Sequence, residues 1–192
     1  MRKINPIFDR PAKGWMALGA LVLFLTFSLL TLPVESARAA EYGRGLGSPD
    51  TKLFYTGQQL QTMASTYGDE GRAAYIHARF TFDLAFPFVY GLFFLLANSY
   101  LFGKTTRSGS GWRLLNLLPC LAVLFDLAEN ISVSAVMASF PSFNPVVVTL
   151  AQIFTPLKWL FVSSSMALSV VLCLVWVISR LIKLDIGVKK VK

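Results

Sequence analysis

Asp83, Asp126, Glu129 and Lys158 interrupt, or lie just at the edge of, long apolar segments. A charge at the centre of a membrane helix costs about 3 kcal/mol unless it is paired or wetted, so such residues mark either function or a structural ion pair. Their spacing is informative. Tyr75, Arg79 and Asp83 are separated by four residues each, which stacks them on one helix face, and Tyr90 falls two turns further on nearly the same stripe. Arg79 and Asp83 form a natural intrahelical ion pair; alternatively Arg79 snorkels to the interface and Asp83 only neutralises it. Pro87 lacks the amide that would bond the carbonyl of Asp83, so a buried acid sits beside a freed acceptor.

Asp126, Glu129 and Asn130 stand at i, i+3 and i+4 and form one polar patch. Two carboxylates on one face could share a proton and act as a donor or relay. The same patch could be a polar clasp that fixes helix packing. Lys158 reaches the same depth on another helix, either as counter-ion for Asp126 or Glu129 or as a snorkelling residue. Gln152 and Thr155 fall just beyond it. Two bases then face three acids. His77, the single histidine, is a further base or a structural side chain.

The elements that carry these residues follow from hydropathy. The chain has 192 residues, 55% hydrophobic and 15% charged, with a mean hydropathy of +0.58. That combination predicts an integral membrane domain rather than a soluble core. The apolar segments place spans at residues 15–32, 80–102 and 112–137 and within 146–182. Pro33 ends the first. Its basic flank and Ala37-x-Ala39 exit also fit a signal peptide, although the stretch is long enough to span. Residues 35–78 form the one long polar loop. Thr56 and Gln59 make a capping box there, ahead of a helix with Leu60, Met63, Ala64 and Tyr67 on one face. The helix leading into the second span begins near Glu70. Residues 103–111 are a short basic loop and 139–145 a tight uncharged turn. In the last segment, 146–155 is a helical extension and Pro156 a bend. Pro87, Pro119 and Pro156 give three of the four spans a proline, and kinked helices can enclose a ligand pocket.

The net charge of +8 gathers in residues 1–13, 103–113 and 183–192, beside span ends. The positive-inside rule accounts for it with both termini cytoplasmic, and nucleic-acid binding is not expected. Cys120 and Cys173 lie inside spans as packing residues, with neither disulfide nor metal spacing. One histidine cannot build an imidazole metal centre, and no phosphate loop or nucleophile elbow is present, so no cofactor is expected. Ser163, Ser164, Ser165 and Ala167 predict a close helix contact.

The run Tyr75-x3-Arg79-x3-Asp83-x3-Pro87-x2-Tyr90, followed by Asp126-x2-Glu129-Asn130, resembles a pattern in uncharacterised bacterial four-helix integral membrane proteins. The resemblance implies a plasma-membrane location and no particular activity. The layout is also similar to that of the four-helix sterol-isomerase and sigma-2-receptor superfamily, which places acids around a lipid-like ligand. That similarity is one of arrangement and transfers no catalytic role.

The expectation is an all-α four-transmembrane-helix bundle with a partly helical extracytoplasmic cap, embedded in lipid. Three functions suit it. The polar cluster is a structural clasp or a pocket for a lipid-like ligand. Alternatively, Asp83, Asp126 or Glu129 acts as acid or base on a lipid-like substrate, with Arg79 or Lys158 stabilising charge. In the third, the same acids couple proton movement to transport.

Overall fold

The structure, a computed structural model, describes residues 10–189, with side chains described through residue 182. The basic residues Arg2, Lys3, Lys190 and Lys192 lie outside the described residues, as do the side chains of Lys183 and Lys189. All regular structure among the described residues is helical, in the order α1 (Gly14–Gly43), α2 (Gly57–Arg79), α3 (Phe82–Thr105), α4 (Leu118–Ala138) and α5 (Pro145–Lys189). Four helical segments are long and apolar enough to cross a membrane: Gly14–Gly43, Gly57–Thr105, Gly111–Ala138 and Pro145–Ile182.

Helix α1 does not stop at Pro33 but continues to Gly43. Proline within a helix removes one hydrogen bond, here to the carbonyl of Leu29, and the following residues are good helix formers with an Arg38–Glu35 ion pair at 2.7 Å. The helix ends where Arg44 turns left-handed (φ 45°), followed by Gly45 and Gly47, also at positive φ. A strap, residues 46–56, then crosses one end of the bundle and contains a short 3-10 turn, Pro49–Thr51.

The capping box starts α2: the Gln59 amide donates to Thr56 Oγ1 at 3.2 Å and the Thr56 amide to Gln59 Oε1 at 2.8 Å. Leu60, Ala64 and Tyr67 pack on Val133, Val136 and Met137 of α4 and on Val148 and Ala151 of α5. Gly68 (φ 64°) interrupts the helix, and Arg72 NH1 donates to the carbonyl of Ala64 at 2.9 Å across the break.

The expected continuous helix from Glu70 into the second span is divided at Phe80–Thr81. The Thr81 hydroxyl donates to the carbonyl of His77 at 2.7 Å, the acceptor its own amide would use in a helix, and that amide instead reaches the carbonyl of Ala78 at 3.4 Å. The third span also begins differently. Gly111–Leu117 is a 3-10 segment and Pro119 stands in the first turn of α4. There a missing amide costs nothing, and the carbonyl of Leu115 is taken by the amide of Leu118, so Pro119 makes no kink. Helix α5 runs unbroken through Pro156.

Helix α4 is the most enclosed and packs along α5, α3 and α2, while α1 lies against α3. The α1–α3 contact is aromatic, with Phe24 stacked on Phe93 at 5.2 Å and Phe27 on Phe86 at 6.0 Å. Helices α3 and α4 meet closely at Gly91, where a Cβ would stand 2.5 Å from Val123 Cγ2. Of the small residues expected at a helix contact, Ser165 alone is buried; Ser163 and Ala167 face outward. The carbonyl of Ser165 accepts from Asn98 Nδ2 at 3.5 Å, and Ser169 Oγ donates to Asn98 Oδ1 at 2.7 Å. Cys120 and Cys173 are exposed on outward faces instead of packed, because each falls on the side of its helix away from the bundle.

Candidate functional site

Tyr75, Arg79, Asp83, Tyr90, Asp126, Glu129, Asn130 and Lys158 are all buried, near the end of the bundle that the strap crosses. They resolve into three groups. In the first, the Arg79 guanidinium lies between two carboxylates, 2.5 Å from Asp83 and 2.9 Å from Asp50. Its planar head also covers the ring of Tyr75, 4.7 Å from the centroid. The Arg79–Asp83 pair spans the break between α2 and α3, so it ties two helices rather than two turns of one.

The acceptor freed by Pro87 is filled from α4. Asn130 Nδ2 donates to the carbonyl of Asp83 at 3.2 Å. Pro87 and Asn130 thus form a matched pair: one removes a donor from α3 and the other supplies it.

In the second group Lys158 pairs with Glu129, which has no solvent exposure at all. The sequence left Asp126 and Glu129 open as its partner. Glu129 Oε1 also accepts from Thr155 Oγ1 at 2.7 Å. Thr155 therefore has no proton left for Tyr55, so the Tyr55 hydroxyl is the donor of that pair, its proton shared between Thr155 Oγ1 at 2.8 Å and the carbonyl of Ala151 at 3.3 Å. Burial is the main cause that pushes the Tyr55 phenol above its ordinary range, outweighing the Thr155 bond, and keeps it a donor. Thr155 and Gln152, which fall just beyond Lys158, also join the cluster. Thr155 is fully buried, and Gln152 Nε2 donates to the carbonyl of Tyr55 at 3.3 Å.

In the third group Tyr90 OH donates to Asp126 Oδ2 at 2.8 Å. Among the described residues Asp126 has no cation within ion-pair distance, and Tyr90 is its side-chain hydrogen-bond partner. Phe86 and Phe94 flank the Tyr90 ring. Tyr90 accordingly belongs with α4 and not with the Tyr75–Arg79–Asp83 stripe.

Asp50 is the residue that sequence reasoning missed. Its carboxylate meets Arg79 and the Ser48 hydroxyl, while its carbonyl accepts from Lys158 Nζ at 3.1 Å and Trp159 Nε1 at 3.2 Å. Burial alone would raise the Asp50 carboxyl. The charges of Arg79 and then Lys158 outweigh it and hold the group below the usual carboxylate range. The strap is further tied by Tyr67, whose hydroxyl donates to the carbonyl of Gly47 at 3.1 Å. Nothing periodic surrounds Asp50, so no sequence signal placed it; the available hint was two buried bases in need of counter-charges. His77, a candidate extra base, is exposed, since it faces away from Arg79 on α2.

The Tyr75 hydroxyl and Arg79 Nε are buried without a hydrogen-bond partner among the described residues. They border a cleft of about 20 Å³ shared with Ser48 and Tyr67, room for about one water molecule. Among the described residues no group of three or more His, Cys, Asp and Glu is placed to hold a metal ion. Asp50, Asp83 and Glu129 are engaged by cations and Asp126 by a phenol, an arrangement suited to charge pairing or acid–base chemistry. No family model, curated protein or solved structure matches the chain.

Proposed function

We propose that this is a multi-pass membrane protein whose polar cluster is a clasp, fastening an extracytoplasmic cap to the four-helix bundle. The observation that carries the reading is the closure of the cluster. Arg79 joins α2 to α3 and to the strap, Lys158 joins α5 to α4 and to the strap, and Asn130 joins α4 to α3. A binding site for a charged ligand would leave a charge unpaired, whereas here Arg79 and Lys158 are both matched to carboxylates, and the unpartnered Tyr75 hydroxyl and Arg79 Nε face room for about one water.

Depth supports the same reading. Along helices rising 1.5 Å per residue, the separations Lys13–Glu35, Asp83–Lys104 and Lys158–Arg180 are each about 32 Å, close to the ~30 Å of a hydrocarbon core. The cluster then lies at one boundary plane and the basic residues Lys104, Arg107, Arg113 and Arg180 at the other. The positive-inside rule puts that basic end, with both termini, in the cytoplasm. The family resemblance favours a bacterial plasma membrane.

A second reading rests on Asp126. A buried carboxylate whose partner is a phenol, walled by phenylalanines, suits acid–base chemistry on a lipid-like substrate better than Glu129 or Asp83, which are charge-paired. Proton-coupled transport has less support: Phe94 separates Tyr90 from Asn98, the next buried polar side chain toward the basic end.

Glu129→Gln and Asp126→Asn, purified in mild detergent, separate the readings. The clasp predicts that Glu129→Gln loses stability while both variants keep the wild-type set of co-purifying lipids in native mass spectrometry. A folded Asp126→Asn protein that loses one specific lipid held by wild type would favour the second reading.

A further inference from the structure

We infer a second binding site, for the anionic headgroup of a phospholipid, at the strap beside Lys52. The site is an open cleft of about 630 Å³ between the strap and the first turns of α2. Its wall carries Lys52 as the single charged side chain, with the amides of Gln58 and Gln59 beside it and Leu46 and Phe54 as apolar borders. Lys52 is partly buried and has no ion pair among the described residues. Gln59 uses its amide oxygen in the capping box, which leaves its amide nitrogen as a donor. The lining is therefore a cation and donors with no acid, the chemistry of an anion site, set against apolar surface.

Placement identifies the source of the anion. The inference rests on the proposed depth of the cluster. Asp50 is bonded to Trp159 and Tyr55 to Thr155, one turn apart on α5, so the intervening residues 51–54 are bracketed between the boundary plane at Lys158 and about 5 Å above it. That is headgroup depth, since the polar regions add several ångström to each side of the core. At that depth Leu53 is 59% and Phe54 76% exposed, an adjacent apolar pair turned out from the bundle. A phosphate on Lys52, with Leu53 and Phe54 among the upper acyl carbons, satisfies both the unpaired charge and the exposed apolar pair.

Two measurements on the full-length chain test this. In native mass spectrometry, wild type is expected to retain phosphatidylglycerol over phosphatidylcholine, and Lys52→Gln to lower that preference about fivefold, the effect of one basic residue at an anionic surface. Lys52 has no side-chain partner among the described residues, so the variant is expected to keep its thermal midpoint. Equal retention in the two proteins, or no preference in wild type, overturns the site. Displacement of the lipid by millimolar inorganic phosphate would show a free-anion site instead and also overturns it. Separately, a nitroxide on Phe54→Cys, in a Cys120→Ala, Cys173→Ala background and in lipid nanodiscs, is expected to be accessible to a lipid-soluble relaxant. Access by the aqueous relaxant alone would overturn the depth placement, and with it the inference, whatever the lipid preference.

Discussion

Replacing Lys158 with methionine isolates the strongest term in the proposed clasp. Methionine preserves most of the side-chain volume and removes the charge. Glu129, with no exposure, is then left as an unpaired buried carboxylate. Removing one partner of a buried ion pair costs about 3–5 kcal/mol. The lost hydrogen bond to the carbonyl of Asp50 adds about 1 kcal/mol, although Trp159 still donates to that carbonyl. The total, about 4–6 kcal/mol, is a large share of the ~5–15 kcal/mol of a typical fold. Adding Glu129→Gln removes the uncompensated charge while keeping an oxygen for Thr155. The double variant is therefore expected to be more stable than Lys158→Met alone, within about 2 kcal/mol of wild type. Unfolding of each protein in mixed micelles, followed by circular dichroism, gives the four corners of the cycle. A Lys158→Met loss below about 1 kcal/mol, or a double variant no better than the single, would refute the reasoning.

Asn130→Leu should destabilise by about 1–3 kcal/mol by leaving the carbonyl of Asp83 unbonded, and Pro87→Ala should recover part of that by restoring the backbone donor, read from the same unfolding assay. Gly91→Ala should cost about 1–3 kcal/mol through collision with Val123 Cγ2, and Val123→Ala in the same chain should relieve it. The folded Asp50 carboxyl is held below its ordinary value of about 3.9. Its stabilisation is therefore present above about pH 4 and is lost as pH falls through the folded value. The thermal midpoint of wild type should fall more steeply below pH 4 than that of Asp50→Asn.

Much of the frame was legible because membrane helices advertise themselves through length and hydropathy, and the start of α2 through the Thr56–Gln59 box. Spacing alone placed Asp126, Glu129 and Asn130 on one face, since i, i+3 and i+4 leave no choice. What escaped was tertiary or one-residue competition. The hydroxyl of Thr81 displaces its own amide and divides a helix that hydropathy reads as continuous. Pro119 looks like a kink in sequence but stands in a first turn, where its missing amide is harmless. Asp50 lies in an irregular strap whose path depends on Lys158 and Trp159, more than a hundred residues away. The partner of Lys158 could not be chosen between Asp126 and Glu129 because both share its depth, and the choice is made by helix rotation.

The central claim is that the ion pairs hold the strap to the bundle. Hydrogen–deuterium exchange of the amides in residues 48–55, compared between wild type and Arg79→Gln in the same detergent, tests it most directly. Arg79 binds Asp50 and Asp83 from the end of α2, so its loss is predicted to speed exchange in the strap severalfold while the middle of α4 stays protected. Unchanged strap protection in a folded Arg79→Gln protein would contradict the clasp.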